Sequence, residues 1–80
     1  MTATPPTEYR DLTPAALDAL ERAVRERLRV ALRRRGNEYV IVAERLGIDG
    51  LDETLEGRLP MTGEVLSFRL RDLESFAVIS

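Results

Sequence analysis

The stretch that decides the fold is RLRVALRRRGNEYVIVAERL, residues 27–46. Leu28, Ala31 and Leu32 would extend a helical stripe begun upstream. Yet Leu28, Val30 and Leu32 also alternate strictly with Arg27, Arg29 and Arg33, as in a half-buried strand. Pairing favours the strand. With Gly36-Asn37 as a two-residue hairpin turn, Arg35 faces Glu38, Arg34 faces Tyr39, Leu32 faces Ile41, Val30 faces Ala43 and Arg29 faces Glu44. One face then holds Leu28, Val30, Leu32, Tyr39, Ile41 and Ala43. The other holds the charge pairs Arg29/Glu44 and Arg35/Glu38, with Val40 and Val42 beside Ala31. A slip of one residue would turn every side chain to the wrong side. The chain is therefore expected to leave helix before Leu28 and to run as strand from about Arg27.

Upstream, Thr13 suits an N-cap and Pro14 the first helical position, where its missing N–H would be unpaired anyway. Leu17, Leu20 and Val24 make an apolar stripe, and Asp18 and Glu21 lie toward the positive end of the helix dipole. Residues 1–12, with adjacent Pro5 and Pro6, read as a flexible arm, which leaves 13–80 as one helix-plus-barrel domain. Downstream, Gly47 to Gly50 break the second strand, and a third spans 51–59 with Leu51, Leu55 and Leu59 on one face. A turn at Thr62-Gly63 sets Gly57 opposite Phe68. A four-residue loop from Pro60 to Gly63 sets Leu55 there instead. Asp72 to Ser75 read as a single helical turn capped by Asp72, before a last strand from Phe76 to Ile79.

This order of helix, two hairpins, helical turn and fifth strand resembles the small five-stranded antiparallel Sm-like or Src-homology-like barrel. The segments RVALRRRGNEYVIVAERL (29–46) and GEVLSFRLRDLESFAVI (63–79) are similar in pattern to the barrel of WYL-type regulatory domains and of the Sm-like inhibitor of the Rho terminator. The resemblance implies a mainly β fold with one N-terminal α-helix, and a regulatory or nucleic-acid-binding role. The WYL tripeptide is absent, and the fourth strand ends Arg69-Leu70-Arg71-Asp72 where Sm-like proteins carry Arg-Gly. No binding residue is therefore carried over.

Composition narrows the chemistry. The 80 residues include 14 acids, 12 bases, no histidine and no cysteine, and all the bases are arginine. The usual general base, the thiolate nucleophile and the Schiff-base lysine are all missing. Ser67, Ser75 and Ser80 have nothing to activate them, so no catalytic residue is expected. Asp49, Asp52 and Glu53 surround a glycine turn without the spacing of a calcium loop, so neither metal nor cofactor is expected. The apolar runs are too short to span a bilayer, and no secretory signal is legible, so the expectation is a cytoplasmic protein without membrane contact.

The formal charge of −2 hides a segregation, because residues 22–37 hold seven arginines against Glu26 alone while acids dominate on both sides. On the strand reading Arg27, Arg29, Arg33 and Arg35 line the outer face, alternate residues standing roughly 6.6 to 7 Å apart, near the phosphate repeat of a single strand. Two functions follow. The first is a non-catalytic module that binds a protein partner or itself through the charged faces and the outer valines, Val40 and Val42. The second is nucleic-acid binding by the arginine strand. A pI near 5.1 and the lack of interleaved aromatic residues favour the first.

Overall fold

The computed structural model describes residues 13–80, and the expected arm at 1–12 lies outside them. Helix α1 spans Pro14–Glu26. It begins as the sequence reading expects, with the Ala16 amide donating to the Thr13 hydroxyl at 3.2 Å and Pro14 in the first turn. Asp18 and Glu21 fall beyond that turn, which contains no acid. The helix ends at Arg27, whose φ of 55° is left-handed. There the Leu28 amide donates to the Ala23 carbonyl at 2.8 Å and the Arg27 amide to that of Val24 at 3.4 Å. These two bonds form a Schellman closure, with arginine where glycine is usual. Leu20 and Ala23 are fully buried.

Five strands follow: β1 (Arg29–Arg34), β2 (Asn37–Asp49), β3 (Asp52–Arg58), β4 (Val65–Arg69) and β5 (Ser75–Val78). The fold is mainly β, one helix with a five-stranded antiparallel sheet in the order β4-β3-β2-β1-β5. Among the described residues no ladder joins β4 to β5, so the sheet is open along that seam.

The first strand starts two residues later than expected because Arg27 is spent on the helix terminus. Its hairpin turns at Arg35-Gly36, not at Gly36-Asn37, and pairs Arg34 with Asn37, Leu32 with Tyr39 and Val30 with Ile41. Both turn residues have positive φ, 52° and 76°, as a type I′ turn requires, and this turn matches the twist of the strands it joins. The change displaces each partner by two residues. Because side chains alternate with period two, both faces survive intact while the expected pairs Arg29/Glu44 and Arg35/Glu38 are lost.

The other corrections are local. The β3–β4 connection is the four-residue loop, with the Gly63 amide donating to the Leu59 carbonyl at 2.8 Å, and Leu55 lies opposite Phe68. Gly57 accordingly faces Leu66, not Phe68. Its want of a side chain serves β2 instead, since a Cβ there would stand 2.8 Å from the Val42 carbonyl oxygen and closer still to Ile41 Cδ1. Leu51 does not share a face with Leu55, because it sits in the β2–β3 turn and is fully exposed. The helical turn is a 3-10 turn at Leu70–Asp72, earlier than expected and without a side-chain cap, which lets β5 begin at Ser75.

The inner faces of all five strands and the stripe of α1 share one core, made of Leu20, Ala23, Val30, Leu32, Ile41, Ala43, Leu55, Phe68, Leu70, Leu73 and Phe76. Each fully buried large side chain among them contributes about 1.5–3 kcal/mol. A bulge between Ala43 and Arg45 leaves Glu44 as the extra residue and bends the long β2.

Candidate interaction surface

The face of the sheet turned away from α1 is built by alternation. On β1, Val30 and Leu32 enter the core, so Arg29, Ala31 and Arg33 stand outside. On β2 the outer residues are Glu38, Val40 and Val42. The fifth strand lies along the other side of β1, pairing Ala31 with Ala77 and Arg33 with Ser75. Beyond it the Ile79 amide donates to the Arg29 carbonyl at 2.8 Å. Ala31 therefore sits between Val40 and Ala77 in an apolar centre, which Val42 and Ile79 continue on either side of Arg29, with Arg33 at the other end. Val40 is 41% and Ile79 52% exposed. Among the described residues nothing covers this centre, because α1 packs on the opposite face.

Arg27, Arg29, Arg33 and Arg35, expected in one row, are not brought together. Arg27 closes the helix, with its Nη1 3.4 Å from the Glu44 carbonyl oxygen and 3.9 Å from Glu44 Oε2. Arg35 stands at the apex of the β1–β2 turn. Only Arg29 and Arg33 share the outer face, and four residues of strand separate them by about 13 Å. Arg29 Nη2 donates to the Ser80 hydroxyl at 3.3 Å, and Arg33 lies 3.6 Å from Glu38. Both members of the Arg33/Glu38 pair are half or more exposed, so the pair is worth about 0–1 kcal/mol. Val40 and Val42 lie on the outer face, Val40 the more exposed of the two.

Several contributors were not legible in the sequence. Ala77 and Ile79 join the surface only because β5 pairs with β1, although Phe76 and Val78 pointing inward already alternate with them. Glu44, expected opposite Arg29, is instead the bulge residue. It accepts from Arg58 Nε at 3.2 Å, while Arg58 Nη1 donates to the Gly63 carbonyl at 2.7 Å, so one acid ties the bulge to β3 and its loop. Arg34, at the inner end of β1, places its guanidinium carbon 4.8 Å from the Phe68 ring centroid and 5.5 Å from that of Tyr39. It thus shields the aromatic edge of the core.

The acids of the β2–β3 turn are also accounted for in part, since Asp52 lies 3.2 Å from Arg71 and 3.7 Å from Arg69. Among the described residues no three potential ligands gather closely enough to hold a metal ion, and no helix is long and apolar enough to cross a membrane. The surface therefore offers apolar area and arginine forks, which suit recognition of another molecule. Compared with known proteins, the chain matches no family model, no curated protein and no solved structure.

Proposed function

We propose that this domain is a non-catalytic interaction or regulatory module, cytoplasmic in setting, that binds a protein partner through the outer face of β5, β1 and β2. The observation that carries the reading is the uncovered apolar centre around Ala31, with Val40 and Ile79 about half exposed while the helix is committed to the other side. Interfaces place apolar residues centrally and charged ones at the rim; Arg33 and Glu38 occupy that rim, while Arg29 stands between Val42 and Ile79. The element order and the bend of β2 support a Sm-like, Src-homology-type curvature for the sheet. Nucleic-acid binding is the weaker reading, because the outward arginines are spread and partly engaged: Arg29 and Arg33 stand about 13 Å apart, Arg33 beside Glu38, and Arg58, across from Val42, is held by Glu44.

The test exploits the absence of native cysteine. A photo-crosslinker on Val40→Cys should capture a protein, and the same probe on Thr62→Cys in the β3–β4 loop should not. Single-stranded RNA or DNA should not bind at physiological salt, where the Debye length is about 8 Å. Micromolar oligonucleotide binding abolished by Arg29→Ala with Arg33→Ala would reverse the ranking.

A further inference from the structure

The two ends of β2 carry opposite charge. Its first end follows Arg33 and Arg34 of β1 and Arg35 of the turn, with Glu38 and the Glu74 carboxylate beside them, and its last end is Asp49, with Asp52 and Glu53 just beyond. Beside the acidic end, α1 and β2 enclose an open groove of about 190 Å³ lined by Leu17, Leu46, Gly47, Ile48, Glu21 and Glu53. Its walls are largely apolar, Ile48 is 76% exposed, and both charged residues that line it are acids. A cavity of about 150 Å³ accommodates a benzene-sized body, so this groove has room for one long side chain.

The complement lies at the other end of the same strand. Arg35 is exposed at the hairpin apex and takes part in no ion pair among the described residues. It holds a φ of 52°, a left-handed conformation that asparagine or glycine adopts with less strain. A strained, exposed residue that its turn does not require points to a use outside the turn. Arginine is also the side chain that buries an aliphatic stem while its planar fork meets carboxylates.

We infer that the groove takes Arg35 from a second copy of this chain, its stem along Leu17, Leu46 and Ile48 and its guanidinium between Glu21 and Glu53. The copies then join head to tail, hairpin into groove. Such a contact uses two different patches, so a joined pair keeps one free hairpin and one free groove for further copies. It is independent of whatever the outer face binds.

The whole chain serves for the test. Its solution mass is expected to exceed that of one chain at 0.01 M salt, where the Debye length is about 30 Å, and to return to one chain near 1 M, where it is about 3 Å. Arg35→Asn removes the cation and suits the turn. It should weaken association at least about tenfold, the loss of one charge-assisted contact, while the thermal midpoint holds or rises. Glu21→Gln with Glu53→Gln should weaken it from the other side. Mixed in equal amounts, these two variants should recover a one-to-one dimer and nothing larger, because only one intact hairpin and one intact groove can meet. A chain that stays monomeric at low salt overturns the proposal. So does association that survives Arg35→Asn, or a loss in both variants that mixing does not restore. A monomeric chain whose Leu17 and Ile48 methyl resonances shift with arginine methyl ester would assign the groove to an arginine of another protein and would overturn the second copy.

Discussion

Gly57→Ala tests the centre of the sheet, because its cost follows from the pairing of β2 with β3. Gly57 lies opposite Ala43, and the added Cβ would stand 2.8 Å from the Val42 carbonyl oxygen and closer to Ile41 Cδ1. The oxygen belongs to the strand backbone, and Ile41 is fully buried, so neither has open space to move into. Overpacking of this kind costs roughly 1–3 kcal/mol, and replacing glycine outside the left-handed region returns about 0.4–1 kcal/mol through the unfolded chain. Taken at the middle of each range, the net loss is about 1.3 kcal/mol, which lowers the thermal midpoint of a domain this size by roughly 5–10 °C. Ile41→Val deletes the methyl group in the way and by itself costs about 0.5–1.5 kcal/mol. The double variant should lose less than the sum, by about 0.5–1 kcal/mol, since the two residues share one contact. Urea and thermal unfolding of the parent, both single variants and the double variant, followed by circular dichroism, give all four values. A neutral Gly57→Ala, or strict additivity with Ile41→Val, would refute the reasoning. Rescue by Phe68→Leu instead of Ile41→Val would restore the register in which Gly57 faces Phe68.

Leu32→Asp, which sets an unpaired charge where the side chain is 1% exposed, should cost several kcal/mol and unfold the domain, whereas Arg33→Glu on the opposite face should leave it folded; equal tolerance in thermal melts would invert the two faces. Arg27→Gly should raise stability by up to about 1 kcal/mol by relieving the left-handed residue that closes α1, and a lower urea midpoint would show that the Arg27 to Glu44 contact outweighs that strain. Glu44→Gln should cost about 0.5–1 kcal/mol at low salt and progressively less as salt is added, because the carboxylate serves Arg58 and Arg27 while still partly exposed.

Alternation carried most of what could be read in advance. Val30, Leu32, Tyr39, Ile41 and Ala43 point inward in the structure as their spacing requires, and Val40 and Val42 point outward. Alternation settles faces only modulo two, however, so it cannot separate a turn at Gly36-Asn37 from one at Arg35-Gly36. Contacts remote in sequence bear on that choice. The Gly36 amide donates to the Glu74 carboxylate at 2.6 Å, and the Tyr39 ring packs 5.4 Å from that of Phe68. The bulge at Glu44 was hidden for a similar reason, since its partners, Arg58 and Arg27, approach from β3 and from the end of α1. On the outer face, the outward placement of the two valines and of Arg29 and Arg33 was legible. The dispersal of Arg27 and Arg35 was not, because left-handed arginine runs against the preference of the residue and is imposed by the helix end and the hairpin.

The position of β1 between β2 and β5 has a kinetic side. Its pairing with β2 is local and can form within microseconds, as isolated hairpins do. Its pairing with β5 must wait for Ala77 to find Ala31 across about two thirds of the described chain. Loop closure over that span is entropically slow, and until it occurs β1 shows a free edge carrying Val30 and Leu32. A chain emerging from synthesis would pass through that state with the edge open to other strands. Arg29, Arg33 and Arg34, which flank the apolar residues of β1, would then act as charged gatekeepers against aggregation before they serve any surface in the finished fold.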